Sequence, residues 1–331
     1  MRFFDQLPRE PGFSACALTI GTFDGVHRGH ASLLQTLREE AAKRGLPSAV
    51  LTFEDMPYCY FKPDECSRLL TLPDEKRAAL ESLEIDTLFL VPFDASIAER
   101  PASEFVREML VKRIGMKLLV VGPDFALGKD RDGDVSALQR LGRECDFEVV
   151  VLREKLLDDA HPISSTRIRE CVESGDVAQA ARLLGRPFEM SGMVVSGRQL
   201  GRTIGVPTIN LQLHPRKVTP SNGVYAARAI FDETVNETPI SPRMSTHAGG
   251  NMPHRDNATH RAALNIGTRP TVGGDHTSIE FHVIGEEIPT PPKDARLQLI
   301  ERLRDEHKFP DLPSLVAQMQ SDIARADALL Q

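Results

Sequence analysis

Along the first half of the chain, short unbroken apolar runs alternate with stretches whose apolar residues recur every three or four positions. The runs at residues 18–20, 48–53, 87–91, 118–122 and 147–152 predict strands buried on both faces. The stretches at 31–40, 73–83 and 102–110 predict helices between them. This alternation predicts a doubly wound α/β domain with a parallel sheet. Ligands of such sheets bind beyond the carboxyl ends of the strands. His27, Asp55, Asp124 and Ser164 all follow strand ends or lie in the loops after them, so the fold can bring them together.

The pattern changes after residues 168–185, which read as a helical linker. Short β-rich runs follow at 191–195, 224–230, 261–266 and 278–284, spaced as in a small antiparallel barrel. Within the last run Ile279, Phe281 and Val283 alternate with Glu280 and His282, giving one apolar and one polar face. Helical spacing returns at 297–305 and at 312–330. Residues 234–257 are polar and rich in Pro, Gly, Asn and His, the composition of a long loop. His247, His254 and His260 lack the spacing and the cysteine partners of a zinc site.

Composition narrows the picture. The chain of 331 residues is long enough for two domains. Its net charge of -7 argues against a general nucleic-acid binder, so any phosphate must be met by local charge. Five cysteines, an odd number with no C-x-x-C, predict reduced thiols and a cytoplasmic home. Residues 1–10 lack the apolar stretch of a signal peptide, and no apolar run approaches membrane-spanning length.

The densest chemical signal is Gly21-Thr-Phe-Asp-Gly-Val-His-Arg-Gly-His30, between the first strand and the first helix. A helix start offers unpaired backbone N–H groups and partial positive charge, a natural seat for phosphate. Imidazoles at His27 and His30, spaced i, i+3, can face one anion, and glycine lets backbone approach it. A zinc site would need further ligands that the neighbourhood does not supply.

This stretch resembles the first signature of the adenylyltransferase module of bacterial bifunctional riboflavin kinase/FAD synthetases. Ile163-Ser-Ser-Thr-Arg-Ile-Arg169 resembles the second signature of the wider nucleotidyltransferase superfamily. The hydroxyls of Ser164, Ser165 and Thr166 can cap a helix and donate to phosphate. The Arg169 guanidinium can neutralise charge on leaving pyrophosphate. By the resemblance, Gly21, Phe23, Asp24 and Gly29 line the nucleotide, with His27, His30 and Arg169 catalytic. Residues 121–134 resemble a further family segment, which places Asp124 and Arg131 on the flavin and phosphate side. Thr52-Phe-Glu-Asp-Met-Pro57 departs from the family's flavin-loop pattern Thr-Phe-x-Pro-x-Pro: it keeps the last proline and lacks the usual His.

Residues 192–210 resemble the riboflavin kinase signature, with Ile209 in place of the family's Ala. The resemblance assigns Thr208 and Asn210 to Mg²⁺, and hydroxyl and amide oxygens suit that hard cation. Gly197, Gly201 and Gly205 would fold the loop over the ATP phosphates, Arg202 adds positive charge, and Pro207 and Asn265 belong to the same site. Glu280 is the implied catalytic base: a carboxylate on a rigid strand can take the proton of the ribityl 5′-hydroxyl. Residues 284–293 replace the family's acidic turn and Leu-Tyr-Gly, while 302–310 resemble its closing helix and turn.

The resemblance therefore implies a Rossmann-like nucleotidyltransferase domain over residues 1–185 and a barrel kinase domain with a C-terminal helix over 186–331. The implied reactions convert riboflavin to FMN and FMN to FAD, each with ATP. The implied partners are these small molecules, without nucleic acid or membrane, and a homo-oligomer is left open. Two alternatives stay open at this level: a kinase with an impaired first module, and a non-catalytic flavin-binding regulator.

Overall fold

A computed structural model describes every residue except 10–14, 153–155, 197–204, 232–257, 272–273 and 291. The described residues divide into two compact units, one over Met1–Ser165 and the other over the described part of Thr166–Gln331.

In the first unit, β1 (Arg2–Phe4), β2 (Cys16–Ile20), β3 (Ser48–Phe53), β4 (Thr87–Val91), β5 (Met116–Val121) and β8 (Glu148–Val151) form one sheet. Its order is β1-β4-β3-β2-β5-β8, and every pairing is parallel. β2, β3 and β4 are buried along their whole length, as their unbroken apolar runs require. One face packs on α1 (Arg28–Lys43) through Leu34, Leu37 and Ala41, with Leu80 of α3 (Pro73–Glu81) in the same core. The opposite core holds Phe105, Val106, Met109 and Leu110, with Leu138 and Leu141 of α6 (Val135–Cys145). Shorter helices α2 (Pro57–Phe61), α4 (Ala95–Ala98) and α5 (Ala102–Glu104) complete the unit. The helix predicted at 102–110 is α5 continued over Phe105–Arg113 by wider π-type turns, as in the bond from the Ile114 amide to the Met109 carbonyl (3.0 Å).

The loop after β5 folds as a small hairpin of β6 (Ala126–Leu127) and β7 (Gly133–Asp134). Further on, β9 (Leu157–Asp158) pairs antiparallel with β10 (His161–Pro162), ahead of α7 (Ser165–Ser174).

Lys76 lies in this unit's interior, 1% exposed, and its Nζ donates to the carbonyl of Phe53 at the end of β3 (2.6 Å). Burial lowers its pKa from 10.5 to about 8, against the pull of Asp24, Asp55 and Glu54. The folded state thus binds this proton less tightly than the unfolded chain. The resulting penalty is fully present below pH 8 and relieved as pH rises toward 10.5. At about 1.4 kcal/mol per pKa unit it amounts to at most about 3.5 kcal/mol. Urea unfolding should show the wild type gaining stability relative to Lys76→Met between pH 7.5 and 10. A constant difference between the two would contradict this burial cost.

In the second unit, the stretch read as a linker forms α7 and α8 (Val177–Leu184), and α8 packs on the barrel with Val177, Ala180, Leu183 and Leu184 buried. The barrel is closed and antiparallel, ordered β11-β12-β15-β14-β13-β16. Its strands are β11 (Phe188–Val195), β12 (Ile209–Leu213), β13 (Gly223–Ile230), β14 (Thr259–Thr271), β15 (Gly274–Val283) and β16 (Asp294–Arg304). Ile209, Phe281, Leu264 and Tyr225 lie in register across four neighbouring strands, and all are buried. The final helix, α9, covers Leu312–Leu330 as its periodicity predicts, and Asp311 caps it by accepting from the Ser314 amide (2.8 Å).

Two expectations are corrected. Residues 297–305 are not helical: they belong to β16. Ala295, Leu297 and Leu299 alternate inward, then the register shifts against β13 and Leu303 becomes the next buried residue, so a bulged strand imitates helical spacing. The cysteines are not all reduced: Cys59 and Cys66 form a disulfide, while Cys16, Cys145 and Cys171 are free.

Candidate active sites

In the first unit the Gly21–His30 segment leaves β2 at its carboxyl end, flanked by the ends of β3 and β5. Phe23 and Val26 are held at φ 46° and 41°, a left-handed conformation that costs a β-branched residue free energy. A buried network holds this strained turn. The Asp24 carboxylate accepts from the amides of Leu70 (3.2 Å) and Thr71 (3.0 Å), and the Thr71 hydroxyl accepts from the Gly25 amide (2.9 Å). Asp24 therefore acts as a clamp within the protein, and its carbonyl accepts from the Ser165 hydroxyl (2.8 Å), which ties the second signature to the first.

His27 is the N-cap of α1. Its Nδ1 accepts from the His30 amide (3.2 Å), and Nδ1 of His30 accepts from the His27 amide (3.4 Å). The rings stack at 3.6 Å between centroids. A backbone amide can only donate, so both Nδ1 atoms are acceptors and each neutral ring carries its proton on Nε2. Two N–H donors are thus preset at a helix start. The intervening glycine allows a tight approach: a Cβ on Gly29 would lie 3.1 Å from the His27 ring, and one on Gly21 would lie 3.0 Å from the Phe23 ring, so either ring would have to give way slightly.

Arg131 donates to the carbonyl of Asp124 (3.1 Å) across the β6–β7 hairpin, and both residues are exposed. Ser164 immediately precedes α7, while Thr166 and Arg169 lie on it, Arg169 about one turn beyond Ser165.

In the second unit, strand register builds the site. Asn210, Glu280 and Asn265 are direct neighbours on β12, β15 and β14, so their side chains share one face. This face lies opposite to the buried Phe281 row and borders a cavity of 630 Å³, a size suited to a small organic ligand. Thr208, Asn265, Glu280 and His282 line its barrel side, and Phe309, Leu315 and Met319 line the other. The Glu280 carboxylate accepts from the Ser278 hydroxyl (3.0 Å), and Nδ1 of His282 meets the Pro207 carbonyl at 2.8 Å, next to Thr208. Sequence reasoning missed Asp322 and Arg304: the Arg304 guanidinium binds both Asp322 oxygens (2.7–3.0 Å) and fastens α9 to β16. Nothing in either local pattern signals a pair joining a strand to a helix 18 residues away. Gly205 precedes the Pro207–Thr208 segment; Gly197, Gly201 and Arg202 lie outside the described residues.

A parallel α/β unit with paired imidazoles at a helix start, joined to a barrel with a carboxylate beside a ligand-sized cavity, gives the chain two separate candidate sites, one in each unit. A family model for FAD synthetase matches residues 10–167, and one for riboflavin kinase matches residues 184–330. The bifunctional riboflavin kinase/FMN adenylyltransferase of Escherichia coli K12 is 37% identical over 317 residues, 96% of this chain and 92% of the relative. The Haemophilus influenzae protein of the same description is 35% identical, covering 95% and 94%. The chain belongs to the bifunctional riboflavin kinase/FMN adenylyltransferase family. These matches support the two-activity reading over the kinase-only and regulator alternatives. A crystal structure described as a macrolide-efflux protein from Streptococcus pneumoniae shares the fold, with TM-score 0.83, 27% identity and 99% of each chain covered. Among the described residues of this chain, no helix is long and apolar enough to cross a membrane.

Proposed function

We propose that the second unit phosphorylates riboflavin with ATP to FMN and ADP, and that the first adenylylates FMN with a second ATP to FAD and pyrophosphate. The observation that carries the kinase half is the in-register row Asn210–Glu280–Asn265, of which Glu280 and Asn265 line the cavity. Glu280, fixed on β15, takes the proton of the ribityl 5′-hydroxyl as that oxygen attacks the γ-phosphorus. Thr208 and Asn210, two residues apart, offer a hydroxyl and an amide oxygen, a donor set that fits Mg²⁺. The cation, when bound, would neutralise charge on the ATP phosphates.

In the first unit an FMN phosphate oxygen attacks the α-phosphorus of ATP and pyrophosphate leaves, with no covalent enzyme intermediate. The Nε2–H groups of His27 and His30 stabilise the charge that builds on the triphosphate. Ser165, Thr166 and Arg169 hold the leaving end, and Asp124 and Arg131 form the flavin side.

A magnesium titration tests the metal assignment. Asn210→Ala should raise the Mg²⁺ concentration that half-saturates riboflavin phosphorylation by about tenfold or more. FMN adenylylation by the same chain should keep its magnesium dependence. An unchanged titration of the kinase step would remove Asn210 from the metal site.

A further inference from the structure

The segment that follows β3 is held differently from the rest of the first unit. α2 and the single 3₁₀ turn after it, Pro63–Glu65, contain no buried residue. Helices of five and three residues are far too short to persist on their own. Yet they present three large exposed aromatics, Tyr58, Tyr60 and Phe61, the last 62% exposed. Tyr60 and Phe61 touch Phe93 at their edges, with centroids 6.0 and 6.2 Å away, and the Tyr58 hydroxyl accepts from the Ser67 amide (2.6 Å). The Tyr60 hydroxyl also donates to Glu99 (3.5 Å), and a further tie is covalent. The Cys59–Cys66 disulfide joins the middle of α2 to the residue just after the turn, with Cα atoms 4.8 Å apart.

Its position matters because the loop begins at the carboxyl end of β3, beside the strand that feeds the His27–His30 turn. Both cysteines are only half-buried, within reach of a small thiol. The free cysteines differ: burial pushes the Cys16 thiol up to about 12, and burial also raises that of Cys171. Cys145 accepts from the Arg107 guanidinium (3.2 Å).

We propose that Cys59 and Cys66 form a reversible thiol–disulfide switch that fixes the Tyr58–Phe61 aromatic loop as a platform for the flavin ring during FMN adenylylation. The proposal rests on the assignment of adenylylation to the first unit. Aromatic side chains held in place can stack on an isoalloxazine ring without paying the cost of ordering the loop. The oxidant is a small-molecule disulfide. One protein thiolate attacks it and expels one thiol, giving a mixed disulfide. The second protein thiolate displaces the other thiol and closes the bridge. Two protein thiols are oxidised and one small disulfide is reduced to two thiols. Excess small thiol runs the sequence backwards.

The test uses the full chain equilibrated in glutathione buffers from oxidising to reducing, with thiols counted by alkylation of the denatured protein. The count should move from three to five. On reduction the KM for FMN in FAD formation should rise about tenfold, with kcat little changed. Riboflavin phosphorylation by the same molecules should not respond. The Cys59→Ser, Cys66→Ser double variant should show the raised KM of the thiol form in every buffer. A count of five throughout would show that no bridge forms and would overturn the switch. A KM indifferent to a verified change in count would overturn it too, while leaving the adenylyltransferase assignment intact. Absence of FAD in every buffer would remove that assignment and the switch together.

Discussion

Glu280→Gln should abolish riboflavin phosphorylation almost completely and leave FMN adenylylation untouched. The substitution keeps the size and an acceptor oxygen for the Ser278 hydroxyl, so the β15 register and the barrel wall should survive. What it removes is a group able to take a proton at the ribityl 5′-oxygen. General-base catalysis contributes about 10²–10⁴-fold, so kcat should fall by that factor while KM for riboflavin changes little. FAD formation from supplied FMN is an internal control for fold and concentration. If the variant kept kinase activity within a few-fold of wild type, Glu280 would be a bystander beside the cavity.

The second large effect belongs to the paired imidazoles. His30→Ala should lower FMN adenylylation by about 10²–10³-fold, the usual cost of losing a preset donor to a developing anion, with the kinase step unchanged. His27 needs a subtler variant because its ring also caps α1. His27→Asn keeps a good N-cap but removes the Nε2–H donor. It should retain near wild-type thermal stability and still lose about 10²-fold in adenylylation rate. If both rates stayed normal in His27→Asn, the reciprocal imidazole pair would be a helix cap and no more.

The parts of the molecule that were legible in the amino-acid pattern are those where one physical requirement acts alone. β2, β3 and β4 are buried on both faces, so they show as unbroken apolar runs. α9 lies against the barrel on one face, so it keeps its periodicity from Leu312 to Leu330. β16 has helical spacing in the sequence because its bulge places the buried Leu299 and Leu303 four apart. β1 leaves no pattern in the sequence because its three residues are all partly exposed.

The sites divide in the same way. Glycine at position 29 and the two histidines are visible because a tight approach and a donor pair demand particular residue types. The clamp made by Asp24 with Leu70 and Thr71, the Arg304–Asp322 clasp and the Cys59–Cys66 bridge are tertiary pairings. Local spacing holds no record of which partner each will meet.

The most direct test is a time course of flavins separated by chromatography. The full chain is supplied with ATP and Mg²⁺, with riboflavin in one reaction and FMN in the other. FMN should rise and then give way to FAD in the first, and FAD should form without delay in the second. FMN accumulating with no FAD from either start would contradict the two-activity account.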